Sequence, residues 1–336
     1  MPLLAINFPS WLSPEIIPGL PIRWYGLMYI LAFATAFLLY RRQVKERNFP
    51  MSEDDLSGLF FWGILALLVG ARLFSTIIYD TSGIYREQPW LIFWPFRNGR
   101  FTGLQGMSYH GGAFFGLLSV VIYAKVKRFS FREIGDMFAA AIPLGFTFGR
   151  LGNFINGELY GRITASPLGM IFPNAARVPL SDPGVREIAE KAGIEIAQND
   201  ALNAFVNLPR HPSQLYQALF EGIVLWAIIW FFRNRKPFKG FLVGLYFLGY
   251  GLFRFVIEYF REPDADLGYR IANLTTGQIL CSFMIAFGII WLIIASRLPN
   301  REPVRVYSKD NTSVKINKED AAKDRNKRRK LRKKLK

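Results

Sequence analysis

Apolar residues run in long blocks separated by short polar stretches, and seven blocks approach spanning length: residues 24–40, 58–79, 110–125, 134–156, 213–232, 240–260 and 277–297. A helix needs about 20 mostly apolar residues to cross the hydrocarbon of a bilayer. The pattern therefore predicts an all-α polytopic membrane protein with about seven transmembrane helices. Between the fourth and fifth blocks, residues 162–212 break the pattern with Pro167, Pro173, Pro179, Pro183 and Pro209 and with the mixed stretch Arg186–Lys191. This reads as an external head of loops and at least one short helix. A connection of that length in a compact protein is usually functional, and here it is expected to cover or gate a site. A second long connection, 80–109, carries Trp90, Trp94 and Phe96 and reads as an external aromatic arm at the membrane interface.

Basic residues orient the blocks. Arg41, Arg42, Lys45 and Arg47 follow the first block, Lys125, Lys127, Arg128 and Arg132 the third, and Arg233, Arg235, Lys236 and Lys239 the fifth. Cytoplasmic loops carry this excess, so the N-terminus is expected outside and the C-terminus inside. Residues 1–23 do not read as a cleavable signal, because no Lys or Arg precedes Arg23 and prolines recur at 2, 9, 14 and 18. Phe8, Trp11, Leu12, Ile16 and Ile17 suggest instead a short amphipathic element resting in the outer interface. The domain reading is thus 1–23 interfacial, 24–161 the first four spans with the arm, 162–212 the head, 213–297 the last three spans, and 298–336 a cytoplasmic tail.

Composition agrees: 51% of the 336 residues are hydrophobic and 16% aromatic, despite a formal net charge of +17. Residues 301–336 hold fifteen Lys/Arg against five Asp/Glu, so most of that charge is in the tail. Such a tail is expected to be disordered or a surface helix, serving either as a topology anchor or as a patch attracted to anionic lipid of the cytoplasmic leaflet. Specific nucleic-acid binding is not expected. Cys281 is the only cysteine, which excludes an intrachain disulfide and a Cys-rich metal site, and its place in the last block marks it as a small core residue. Nothing in the chain calls for a metal or an organic cofactor.

Polar groups stand where lipid would forbid them. The fourth block ends in Gly149-Arg150-Leu151-Gly152-Asn153-Phe154-Ile155-Asn156-Gly157-Glu158-Leu159-Tyr160-Gly161-Arg162. A charge at the centre of a membrane helix costs about 2.5–3.5 kcal/mol on insertion scales, so Arg150 and Glu158 are expected to face a protein interior or a wet cavity. Arg150, Asn153 and Gly157 recur at helical intervals, and Gly149, Gly152 and Gly157 would allow a backbone or a substrate to approach closely. In the sixth block Tyr250, Arg254, Glu258 and Arg261 form one polar stripe. Glu258 can pair with either arginine, yet two arginines face one carboxylate, and with Arg150 the interior is net positive and suited to a phosphate, which the planar guanidinium binds bidentately.

The two histidines lie at membrane borders. His110, in Met107-Ser108-Tyr109-His110-Gly111-Gly112, is either a structural residue or a proton acceptor, imidazole having the pKa for that work near neutrality. His211 with Arg210, Ser213 and Gln214 reads as ordering a helix start, with Ser213 as its cap. Arg72 in the second block is either a phosphate ligand or an interhelical tie. Trp24 and Tyr25 sit where interfacial anchors are common.

Taken together, Trp24-Tyr25-Gly26, Tyr109-His110-Gly111-Gly112, the 149–162 segment, Arg210-His211-Pro212-Ser213-Gln214-Leu215-Tyr216 and Gly249-Tyr250-Gly251-x-x-Arg254 resemble, in order and in membrane position, the motifs of the bacterial phosphatidylglycerol:prolipoprotein diacylglyceryl transferases. The likeness covers roughly residues 20–297 and implies an enzyme of the bacterial cytoplasmic (inner) membrane. Its substrates would be phosphatidylglycerol and a prolipoprotein signal peptide with its lipobox cysteine, joined in a thioether with release of glycerol phosphate. The family's essential residues carry over onto Tyr25, His110, Arg150, Asn153, Glu158, Gly161, Tyr250 and Arg254. The expected catalytic groups are then His110, Arg150, Arg254 and Tyr25, and the expected lipid-binding set is Arg150, Asn153, Glu158, Gly161, Tyr250, Arg254, Glu258 and Arg261. Where the family commonly has Glu after Ser-Gln-Leu-Tyr, this chain has Gln217, so a charge there is not indispensable. A transporter or flippase for an anionic lipid is the alternative that also needs intramembrane arginines, but it would more naturally show an internal repeat, and none is found.

Reporter fusions test the orientation. Fusions after Asn48 and at the C-terminus should read cytoplasmic and one at Asn199 external; any reversal overturns the assignment.

Overall fold

A computed structural model of the chain describes residues 5–17, 19–20, 22–97, 99–104, 106–194, 205–262 and 274–299. The basic tail and the reporter position Asn199 lie outside the described residues. The chain divides into two compact units, one of Met1–Gln43 with Gly135–Asn300 and the other containing Val44–Ile134.

In chain order the elements are β1 (Ile6–Asn7), α1 (Trp24–Glu46), α2 (Glu53–Leu73) continued by a π turn at Phe74–Ile78, α3 (Ile84–Glu87), β2 (Phe96–Arg97), β3 (Arg100–Phe101), α4 (Tyr109–Val126), α5 (Phe131–Ala139), α6 (Ile142–Ile155), β4 (Met170–Ile171), β5 (Val178–Pro179), α7 (Pro183–Lys191), β6 (Phe205–Val206), α8 (Ser213–Gln217), a π stretch Ala218–Val224, α9 (Leu225–Phe232), α10 (Phe241–Ile257) and α11 (Thr276–Arg297). The protein is a polytopic helical membrane protein, as expected, although the exact count of seven spans is not confirmed among the described residues. Among the described residues five helices are long and apolar enough to cross: Trp24–Glu46, Glu53–Ile78, Tyr109–Val126, Ser213–Phe232 and Thr276–Arg297. The block at 134–156 is a pair, α5 and α6, bent by 43°. Pro143 in the first turn of α6 explains the break, since proline fits a helix start and not a helix interior. The block at 240–260 yields only the 17 residues of α10, about 26 Å at 1.5 Å per residue. Its start is set by Gly240, at φ 90°, and its end by the turn through Glu258.

Where water is absent, helices associate through close packing, and small residues mark the contacts. In the first unit α6 crosses α1 at Gly145, where a Cβ would stand 2.9 Å from the Ala32 carbonyl oxygen, and at Gly152, where it would stand 2.9 Å from the Tyr25 ring. A side chain at Gly288 of α11 would meet the Leu248 amide of α10 at 2.7 Å, and Cys281 is buried beside that seam, a core residue as its position implied. Leu225, Ile229, Leu242, Ala139 and Ala140 form a buried cluster of this unit. Outward, Ile289, Ile290 and Ile293 on α11 stay exposed, as lipid-facing residues should.

The head in this unit has its own small core of Leu180, Ala189 and Leu208, with Val185 and Ile188 of α7 packed on it. Asp182 caps α7 by accepting the Gly184 amide at 2.8 Å. Among its described residues the N-terminal segment forms no helix before Trp24. It is extended: Ile6 and Asn7 pair in parallel with Met170 and Ile171, and Phe8 packs against Phe154 and Phe172. Trp11 remains exposed.

In the second unit α2 and α4 cross with backbones nearly touching. A Cβ on Gly70 would sit 2.7 Å from the Gly111 carbonyl oxygen, and one on Gly112 would sit 3.3 Å from that of Leu67. Gly111 and Gly112, next to His110, therefore serve helix packing. Arg72 is settled as a tie: it donates to the Gly106 and Leu91 carbonyls at 3.1 and 3.0 Å, and to Ile92, holding the arm segment against α2.

Asp136 on α5 organises the start of α10. Its fully buried carboxylate accepts the amides of Gly240, Leu242 and Val243 at 2.9, 2.9 and 3.2 Å and pairs at 2.9 Å with Lys236, which is partly buried. This supplies the cap that Gly240 has no side chain to make. Asp136→Ala removes the acceptor of three amides and the ion-pair partner of Lys236 at a fully buried position, so it should cost about 3–5 kcal/mol of stability. Lys45→Ala, whose pair with Glu53 is exposed on both sides, should cost under about 1 kcal/mol. Thermal unfolding of the two variants in detergent checks the contrast.

Candidate functional site

The end of α6 builds the first half of the site. Asn156 closes the helix, and Gly157 and Leu159 follow at φ 63° and 56°, a left-handed reversal that turns Glu158 back along the helix it has just left. The Asn153 amide donates to Glu158 Oε1 at 2.8 Å, while Arg150 Nη1 donates to Asn153 Oδ1 at 3.4 Å. Arg150, Asn153 and Glu158 are therefore one connected chain of hydrogen bonds. Gly157 is not on the shared helical face; it is the turn that makes the connection possible. Gly149 faces open space, and only Gly152 is a close-approach point. The Arg150 guanidinium lies 4.7 Å over the Phe146 ring, one turn back. The reversal is pinned by α8: Gln214 Nε2 donates to the Glu158 carbonyl at 2.6 Å and Ser213 Oγ to that of Leu159 at 3.1 Å. Ser213 thus ties two segments together, and the N-cap position of α8 falls to Pro212, which makes no side-chain cap.

The end of α10 builds the second half. Arg254 Nη2 is 3.0 Å from Glu258 Oε2, and Arg261 Nη1 is 3.8 Å from Glu258 Oε1, so Glu258 pairs with both arginines. Arg261 lies beyond the helix and reaches Glu258 from the turn, not from a continuous stripe. Glu258 is almost wholly buried and rests on the first turn of α11: Thr275 Oγ1 donates to it at 3.3 Å, and a Cβ on Gly277 would collide with its carboxylate. A helix N-terminus favours negative charge, so this is a stable seat for a carboxylate. Tyr250 stacks on Tyr246 and meets Phe146 edge-on, with ring centroids 5.8 and 5.9 Å apart.

The two halves meet through a residue that the sequence reading passed over. Glu221, in the π stretch, is fully buried and stands 3.7 Å from Arg254 Nη1. The adjacent Gly222 packs on Thr147 of α6, the helix that carries Arg150. Glu221 is the sole charged residue between Ser213 and Phe232, and the rule that intramembrane charge marks a site, applied to Arg150 but not here, finds it. Tyr29 is a second omission: its hydroxyl is 3.3 Å from that of Tyr25, one turn earlier on α1.

Gly161 joins the site to the head. Its amide donates to the His211 carbonyl at 2.8 Å, it bridges Arg261, and a Cβ there would strike the Phe260 carbonyl. Arg162 adds bonds to the Phe260 and Arg261 carbonyls, both at 2.9 Å. His211 packs edge-on against Phe260, and burial pushes its imidazole below the usual histidine pKa.

In the second unit His110 opens α4. Ser108 caps the helix by accepting the Gly111 amide at 3.3 Å, which leaves the His110 ring exposed with Nδ1 3.2 Å from the Tyr79 hydroxyl.

Comparison with known proteins gives these groups a context. Residues 14–294 match the family model described as prolipoprotein diacylglyceryl transferase. A protein of Treponema denticola named phosphatidylglycerol–prolipoprotein diacylglyceryl transferase is 53% identical over 87% of this chain and 95% of its own. Proteins of the same name from Treponema pallidum and Chlorobaculum tepidum are 48% and 41% identical, over 90% and 84% of this chain and 99% and 90% of theirs. With the match covering nearly all of the membrane part and the head, the chain belongs to the prolipoprotein diacylglyceryl transferase family.

Proposed function

We propose that this protein transfers the diacylglyceryl group of phosphatidylglycerol to the lipobox cysteine of a prolipoprotein signal peptide, and that it does so in the bacterial inner membrane with its N-terminus outside. The observation that carries the reading is the polar set Arg150–Asn153–Glu158 and Arg254–Glu258–Arg261, in which Asn153 and Glu258 are buried, the arginines are partly buried and Glu158 is exposed, in a chain whose relatives are named for this transfer. Those names are a transferase's, and the lipid-transporter alternative is set aside.

In the reaction a sulfur–carbon bond forms at the glyceryl carbon as the bond from that carbon to the phosphate oxygen breaks. The thiol proton goes to a base, and the leaving glycerol phosphate passes from one negative charge towards two. A cysteine thiol with a pKa near 8.5 is mostly protonated at neutral pH and gains nucleophilicity when its proton is removed. His110 is assigned that proton. Its exposed ring, held by Tyr79, is free to meet an incoming peptide. Arg150 and Arg254 are assigned to the growing phosphate charge, since oriented cationic donors in a dry site act most strongly where charge develops. Asn153, already oriented by Glu158, donates a hydrogen bond to the lipid, and Tyr250 and Tyr25 line and orient the same polar interior. Glu258 and Arg261 complete the lipid-binding set, with Gly161 allowing the backbone to close behind them. The head, 162–212, is assigned the role of covering the site, and the tail is assigned to anionic cytoplasmic-leaflet lipid.

A purified-protein assay with phosphatidylglycerol and a lipobox peptide, read by the mass of the peptide, tests the reading directly; an unmodified peptide overturns it. Lys at position 150 or 254 keeps the charge but loses the planar fork. Arg150→Lys and Arg254→Lys should each insert normally yet lose most activity, more in rate than in lipid affinity, because the charge grows in the transition state. Wild-type rates in either variant remove that arginine from the clamp. His110→Gln should slow the chemical step by about 10²–10⁴-fold with lipid binding little changed. Normal turnover at saturating substrates and neutral pH would make His110 structural.

A further inference from the structure

Glu221 is an expensive residue to keep. It is the one charge in the span Ser213–Phe232, it is wholly buried, and it lies in a π stretch, where the helix is locally widened. A structural role alone accounts for it poorly, because Arg254 already has a carboxylate partner in Glu258 at 3.0 Å. The second carboxylate meets the other terminal nitrogen: Glu221 Oε1 is 3.7 Å from Nη1, while Glu258 holds Nη2. The guanidinium thus has an acid in ion-pair range of each terminal nitrogen, from two different helices, and it carries five donors in all. The surroundings hold Glu221 in turn. A Cβ on the adjacent Gly222 would overlap Thr147 Oγ1, and Thr147 donates to the Ala218 carbonyl at 3.3 Å, so the π stretch is locked onto α6 one turn before Arg150.

We infer that Glu221 is a positioning residue, the intramembrane counter-ion that aims Arg254, and with it the arginine pair, at the leaving phosphate. This rests on the transferase reading above. In this role Glu221 acts through Arg254, its ion-pair partner. As an anion sharing an arginine with the lipid phosphate it opposes ground-state binding while holding the fork in the orientation the more highly charged leaving group needs. Its removal should therefore divide the kinetic constants: binding kept or improved, rate lost.

The test uses the full chain in detergent or nanodiscs, with the wild-type rate measured first, so that failure of the transferase reading is seen before any variant is compared. Glu221→Gln, nearly isosteric, should lower kcat roughly tenfold or more while KM for phosphatidylglycerol stays within about twofold or falls. Glu221→Asp, which keeps the charge on a shorter arm, should recover part of that loss. An unchanged kcat, a defect confined to KM, or an Asp variant no better than Gln would overturn the assignment. Thermal unfolding gives a second measure that needs no activity. Arg254→Gln leaves Glu221 facing a neutral partner, so adding Glu221→Gln to it should raise the unfolding temperature, although Glu221→Gln lowers it in the wild-type background. Additive shifts would mean that the two residues are not coupled, and the positioning role would fall with the ion pair.

Discussion

Ionised side chains within a bilayer persist only where protein supplies what water would have supplied, and this requirement shapes the first unit around Arg254. Its guanidinium lies between Glu221 and Glu258, and Glu258 in turn leans on Thr275, Arg261 and the opening turn of α11. Breaking any one of these contacts leaves an uncompensated buried charge, so the elements carrying them are bound to one another more strongly than apolar packing would require. The π stretch, α10, the turn after it and the start of α11 thus hold their places partly because the charges do.

Close backbone approach makes the electrostatics possible. Gly277 leaves room for the Glu258 carboxylate over the α11 N-terminus, Gly222 lets the Glu221 segment lie on Thr147, and Gly152 lets Tyr25 rest on the helix that carries Arg150. The left-handed residues Gly157 and Leu159 return Glu158 to Asn153. Each device serves a polar group, and together they give a hydrophobic bundle an ordered charged interior that is not the net-positive one expected, because Glu158, Glu221 and Glu258 match Arg150, Arg254 and Arg261 in number. The head is tied to the same place, through Gly161, Arg162 and the His211 carbonyl, so a change in the head is felt at Arg261 without passing through the helices.

Outside the site, the same physics explains how short polar connections hold. Asp136 caps α10 from another helix because Gly240 has no side chain to offer, and the Trp291 indole donates to the Gly240 carbonyl at 2.8 Å from α11. Arg72 does the corresponding work in the second unit, turning an intramembrane arginine into an anchor for the arm. Two buried arginines of similar appearance in sequence, Arg72 and Arg254, therefore have opposite characters: one meets carbonyls, the other carboxylates.

What the sequence by itself determined is what hydrophobicity and local spacing encode. Block length made the chain a helical membrane protein, i to i+3 spacing joined Arg150 to Asn153 and i to i+4 spacing joined Arg254 to Glu258, and the motif order pointed to the family. It also made Cys281 a core residue. Only the tertiary structure decided what depends on where the backbone turns or on which helices touch. The bend between α5 and α6 and the short α10 arise from Pro143, Gly240 and the turn at Glu258, which a hydropathy pattern averages away. Ser213 as a tie and the extended N-terminal segment pairing with Met170 and Ile171 depend on partners distant in the chain. Glu221 was visible as a lone intramembrane acid, but its importance comes from Arg254, 33 positions later in the chain and 3.7 Å away in space, and no local pattern carries that distance.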